Sequence, residues 1–150
     1  MLTELCQELH NWFDRNMPKT YGNITISDGT MSSLGKKIEF LDGQYYRIIG
    51  SVFNDGVHLY GSENDILVDE NFTGSVWAMA IPKEVVKLAD DIAAWRTKYE
   101  AIDSVAMSPY SSESFGGYSY SKGGGSGGSS GGGADWRTTF RVRLNMWRKI

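Results

Sequence analysis

The stretch Lys36-Lys37-Ile38-Glu39-Phe40-Leu41-Asp42-Gly43-Gln44-Tyr45-Tyr46-Arg47-Ile48-Ile49 decides how the chain is read. Ile38 and Phe40 alternate with polar neighbours before Asp42-Gly43, and Tyr46 and Ile48 do so after it, the period of a half-buried strand. Glycine after aspartate supplies the positive φ that a tight turn needs. The stretch therefore predicts a β-hairpin from Lys36 to Ile49. Working outward, Asp28-Gly29 and Asn54-Asp55-Gly56 mark further turns, and the runs between them predict strands over 23–27, 36–41, 44–49, 57–60 and 75–81, with a weaker one at 66–68. Successive tight turns imply antiparallel pairing, so this region predicts a small antiparallel sheet or partly open barrel of five or six short strands.

The flanks have helical period. Leu2, Leu5, Cys6, Leu9, Trp12, Phe13 and Met17 share one face and predict a helix over 2–16, ending before Pro18. Pro82 suits a first helical turn, and Val85, Val86, Ala89, Ile92, Ala93, Ala94 and Trp95 predict a second helix over 83–100. Residues 108–122 are rich in aromatics and hydroxyls without a core period, which predicts an extended arm. A tether follows: 10 of the 18 glycines lie between Gly116 and Gly133. Asp135 then reads as an N-cap for a terminal amphipathic helix whose apolar stripe is Trp136, Phe140, Leu144 and Trp147. About 14 residues are too few for a helix to stand alone in water, so this one must pack on its own chain or on a neighbour. The reading is an α+β chain with a body at 1–107, an arm and tether at 108–134, and a docking helix at 135–150.

The 150 residues carry a formal net charge of −3, distributed unevenly. Residues 1–100 hold 9 basic and 15 acidic side chains, whereas the last 16 hold Arg137, Arg141, Arg143, Arg148 and Lys149 against Asp135 alone. An acidic body with a basic end predicts an end that docks on an acidic surface. The composition offers little to catalysis. There are two histidines, His10 and His58, and one cysteine, Cys6, which falls on the apolar face of the first helix and reads as a small buried side chain. No zinc-ligand spacing, nucleophile elbow or phosphate-binding loop occurs, so we expect no catalytic residues, no metal site and no cofactor. The absence of a long apolar run and of a signal-peptide pattern gives the expectation of no membrane span.

Three segments carry a family resemblance: Asp42 to Val57 (DGQYYRIIGSVFNDGV), Ser108 to Tyr120 (SPYSSESFGGYSY) and Trp136 to Ile150. Together they resemble head-tail connector proteins, also called adaptor or head-completion proteins, of Firmicutes-type phages and prophages. Ser112-Glu113-Ser114-Phe115-Gly116-Gly117-Tyr118-Ser119 resembles the segment near the C-terminus of those proteins. The β section at 22–81 departs from the helical core typical of that family. The resemblance implies a structural virion protein of the phage neck, assembled in the host cytoplasm. It would form a homo-oligomeric ring of about twelve copies that joins the portal protein to stopper or tail proteins. DNA would pass through the ring without sequence-specific binding, and the protein would not be an enzyme. A tail-completion or stopper protein of the same neck is the near alternative. Residues placed at the portal or neighbour contact are Tyr110, Phe115, Tyr118, Tyr120, Trp136, Arg137, Phe140, Arg141, Leu144, Trp147 and Arg148. A different class, a small β-rich module gripping a peptide or sugar, would use Tyr45, Tyr46, Phe53, Tyr60 and Trp77.

Overall fold

In the computed structural model, the residues described are 1–99, 112–115, 118–121 and 135–149. The chain packs as two compact units: residues 2–82, and residues 83–150 together with Met1. The expected boundaries at 107/108 and 134/135 involve residues outside those described.

The first unit opens with α1 (Leu2–Glu8), half the length that its apolar period implied. The helix stops because His10 turns left-handed at φ 49°, so that its N–H donates to the Gln7 carbonyl (3.0 Å) and the Asn11 N–H reaches back to Cys6 (3.1 Å). This is a Schellman termination, with histidine where glycine is usual. Phe13 and Asn16 also have positive φ, and the Asn11 side chain accepts from the Phe13 N–H, so the period continues through Trp12 and Phe13 without a helix to carry it.

Six strands follow: β1 (Lys19–Ser27), β2 (Thr30–Ser33), β3 (Lys36–Ile38), β4 (Tyr45–Ile49), β5 (Gly56–Leu59) and β6 (Glu70–Ala78). They form one open antiparallel sheet in the order β3-β2-β1-β6-β4-β5. The hairpin expected from Lys36 to Ile49 does not form. β3 pairs with β2 through a two-residue turn in which Leu34 (φ 50°) and Gly35 (φ 73°) are both left-handed, and this sets Ile38 opposite the buried Met31. Asp42-Gly43 does make a turn, with the Gln44 N–H donating to the Leu41 carbonyl, but the chain emerging from it pairs with Tyr60 at the end of β5. Nor is 66–68 a strand. The side-chain amide of Asn54 binds both the N–H (2.8 Å) and the carbonyl (3.0 Å) of Val68, occupying the groups that a strand partner would use.

Alternation puts one face of the sheet in the core. Ile24, Ile26, Met31, Tyr46, Ile48 and Val76 form it, with Leu67 from the loop before β6 and Phe40, Tyr60 and Phe72 packed on it. Fully burying an isoleucine is worth about 1.5–3 kcal/mol, which fixes the register because a one-residue slip would turn Ile24, Ile26, Ile48 and Val76 outward.

The second unit contains α2 (Lys83–Tyr99), which starts directly after Pro82 as expected and buries Val85, Leu88, Ala89, Ile92, Trp95 and Tyr99 along one face. β7 (Ser112–Phe115) and β8 (Tyr118–Ser121) pair antiparallel as a separate two-stranded sheet. The terminal segment is two short helices, α3 (Trp136–Thr139) and α4 (Arg141–Asn145), where one was expected. Phe140 (φ −97°, ψ 10°) ends the first and begins the second. Asp135 caps α3 as expected, its carboxylate accepting from the Arg137 N–H at 3.1 Å. Among the described residues, no helix is long and apolar enough to cross a membrane.

Candidate functional site

The residues expected at a partner contact divide three ways. Trp136, Phe140 and Leu144 are each 1% exposed, buried within their own chain. Phe140 meets the Trp95 ring of α2 edge-on at 6.2 Å, and Arg143 pairs with Asp91 of α2 at 2.7 Å. The terminal stripe thus docks on α2 of the same chain, one of the two options left open by its length. Arg137, Arg141 and Arg148 face solvent and Trp147 is half-buried; the Arg137 guanidinium also lies 4.7 Å over the Trp136 ring. Phe115, Tyr118 and Tyr120 fall on the β7–β8 hairpin, Phe115 opposite Tyr118 and Tyr120 opposite Glu113. Tyr110 lies outside the described residues.

In the first unit, an open cavity of about 640 Å³ is lined by residues from the β1–β2 turn, the Asp42-Gly43 turn and the loop between β5 and β6. Five carboxylates border it: Asp28, Asp42, Glu63, Asp65 and Asp69, with no basic side chain in the lining. Two are anchored. Asp65 takes His58 Nδ1 at 2.7 Å and the Leu59 N–H, and Asp69 accepts from the Asp28 N–H at 2.9 Å. His58 Nε2 in turn donates to the Asn54 carbonyl at 2.8 Å. Tyr46 and Tyr60 supply the aromatic wall. The Tyr46 ring is stacked between Phe40 (4.7 Å) and His58 (5.4 Å), with Tyr60 at its edge. Burial first, then the nearby Asp65, raises the Tyr46 phenol well above its ordinary pKa, so it stays protonated.

The opposite face of the sheet carries a cation–aromatic ladder. Arg47 on β4 lies 3.3 Å over the Trp12 ring and 5.6 Å from that of Trp77, and Lys19 sits 4.3 Å over Trp77. Burial lowers the Arg47 pKa, while Asp55, Cys6 and Asp14 oppose the shift. Burial likewise pushes the Cys6 thiol up to about 12, which keeps it an inert thiol.

Beside the cavity, the loop after β4 is held by one carboxylate. Glu70 accepts from the Ser51 hydroxyl, the Val52 N–H (2.8 Å), the Asn54 side-chain amide (3.1 Å) and the Phe53 N–H (3.4 Å). The Ser51 bond foremost, then those from Val52, Asn54 and Phe53, lower its pKa against the opposing effect of burial. A depressed carboxyl stabilises the fold in full above its unfolded value, near 4.5, and the contribution is lost as pH falls through the lowered folded value. In Glu70→Gln we expect the Val52 and Phe53 amides to exchange with solvent about tenfold faster or more, and the dependence of loop protection on acid to disappear. Unchanged exchange at those two amides would contradict this role for Glu70.

No protein-family model, curated protein or solved structure matches the chain. The site therefore rests on its own geometry. Sequence reading did not find the acidic cavity, the Arg47 ladder or the Glu70 clasp. The one local signal was the acidic run Glu63, Asp65, Asp69 and Glu70, which follows the Asn54-Asp55-Gly56 turn. Of the aromatics assigned to the binding-module alternative, Tyr46 is buried in the core, Tyr45, Tyr60 and Trp77 are half-buried, and Phe53 is exposed. They do not form one open platform.

Proposed function

We propose that the protein is a structural subunit of a phage neck, a head-tail connector whose copies form a homo-oligomeric ring between the portal and the tail. The observation that carries this reading is the β7–β8 hairpin, a two-stranded sheet to which no other described strand is paired. Such a hairpin is marginal in water by itself and offers two unpaired edges, so it gains most by adding to strands of a neighbouring subunit. The hairpin also coincides with Ser112 to Ser119, a segment that resembles the one near the C-terminus of connector proteins. The excess of carboxylates over residues 1–100 suits a ring through which DNA slides, because phosphates are repelled by unneutralised acids.

On this reading the arm, through Phe115, Tyr118 and Tyr120, and the exposed Arg137, Arg141 and Arg148 make the contacts with portal or neighbour. The buried Trp136, Phe140 and Leu144 support those contacts from behind. Replacing Phe115, Tyr118 and Tyr120 together by serine is expected to abolish co-assembly with a phage portal protein. The thermal transition of the 2–82 unit should stay within about 2 °C of the parent, since none of the three residues belongs to that unit or its core. Undiminished co-assembly would remove the arm from the interface.

A further inference from the structure

We propose that the acidic cavity of the first unit is a binding site for an organic cation, an alkylammonium or guanidinium group on an apolar stem. Its volume, about 640 Å³, is that of a small-ligand site, and its rim carries five carboxylates, of which Asp65 is paired with His58 behind the lining and none, among the described residues, with a lysine or arginine. Three of them, Asp28, Asp42 and Glu63, make no side-chain hydrogen bond or ion pair among the described residues.

A second observation points independently to a ligand. Tyr46 is only 3% exposed, lines the cavity, and has both ring faces covered by Phe40 and His58. Its hydroxyl makes no hydrogen bond to a described residue and is not among the fully buried polar atoms, so it reaches solvent. With the rest of the side chain buried and Tyr46 in the cavity lining, that hydroxyl is available to bond a polar group that enters the cavity.

The charge is arranged for an extended organic cation and not for a metal ion. Among the described residues, no three acidic, histidine or cysteine side chains converge closely enough to hold a metal. The carboxylates come from separate turns and ring the opening, which suits several N–H donors spread along a chain. Tyr60, Leu59 and Leu67 offer the stem an aromatic and aliphatic wall, and an ammonium can approach the Tyr60 ring.

The cation could be a free polyamine or a basic side chain of another protein, and two probes separate these sources. Amide chemical shifts of the full chain would be followed by NMR during titration with spermidine, with an acetylated tetra-arginine peptide, and with calcium chloride. We expect shifts at Asp28, Gly29, Gly61 and Ser62 with at least one organic cation. Spermidine alone points to a free polyamine, and the peptide alone to a partner's basic segment. The double variant Asp42→Asn/Glu63→Gln should bind about tenfold more weakly or worse, and Tyr46→Phe, which keeps the stacked ring, about threefold to tenfold more weakly. Glu84→Gln/Asp90→Asn removes the same charge from α2 and should bind like the parent. Equal weakening in that control, no shift with either organic cation, or a response to calcium alone would each overturn the proposal.

Discussion

Gly74→Ala is expected to lower the melting temperature of the first unit by about 15 °C, the equivalent of about 3 kcal/mol for a unit of this size. A Cβ at this position would lie 2.0 Å from the carbonyl oxygen of Ile49 and 3.0 Å from Cε2 of Phe72. The ring could swing aside. The Ile49 oxygen belongs to β4, whose Ile48 and Ile49 pair with Val76 and Ser75 of β6, so relieving the contact means prising those strands apart. Gly50 approaches from the other side, where a Cβ would come within 3.0 Å of the Thr73 oxygen at a φ of 90°. The two glycines let the backbones of β4 and β6 close together where the chain leaves β4 for the loop held by Glu70. A far-ultraviolet melt of Gly74→Ala that overlays the parent would show that the strands do not approach in this way.

Phe140→Ala should cost about 3–5 kcal/mol in the second unit, the usual range for truncating a fully buried aromatic side chain. Phe140 is 1% exposed, packs edge-on against Trp95, and forms the junction between α3 and α4. Its loss leaves Trp136 and Leu144 without the side chain between them, so the terminal segment should come off α2. Tryptophan emission would then move to the red as Trp95 and Trp136 meet water. Arg141→Ala, at an exposed neighbour, should change stability by under about 0.5 kcal/mol. Because the docking is within one chain, Trp136 of the parent should stay shielded from iodide quenching when the protein is diluted to the monomer; quenching that appears on dilution would place the stripe against a second copy.

The sequence disclosed the kind of structure more readily than its pairings. Asp28-Gly29 made a hairpin turn with both residues at positive φ, as its composition implied, and Trp136, Phe140 and Leu144 announced a buried stripe by their spacing of four. The pairing of β3 was hidden because it depends on Leu34 adopting a left-handed conformation that its side chain does not advertise. The length of α1 was hidden for a similar reason. Trp12 extends the apolar period, yet its ring is used to cover Arg47, and the backbone has already turned at His10. The cavity had no local signature, since its carboxylates are brought together from residues 28, 42 and 63–69 only by the sheet order. Likewise, the terminal stripe was legible, but its partner α2 was not, because nothing in a stripe names the surface that covers it.

The direct test of the connector reading is an electron-microscopic image of the full chain mixed with a portal protein from a Firmicutes-type phage. The account predicts an additional ring of density beneath the portal, coaxial with its channel, that is absent when Phe115, Tyr118 and Tyr120 are serine. A portal left bare by the parent protein at micromolar concentration, with the chain remaining monomeric, would contradict it.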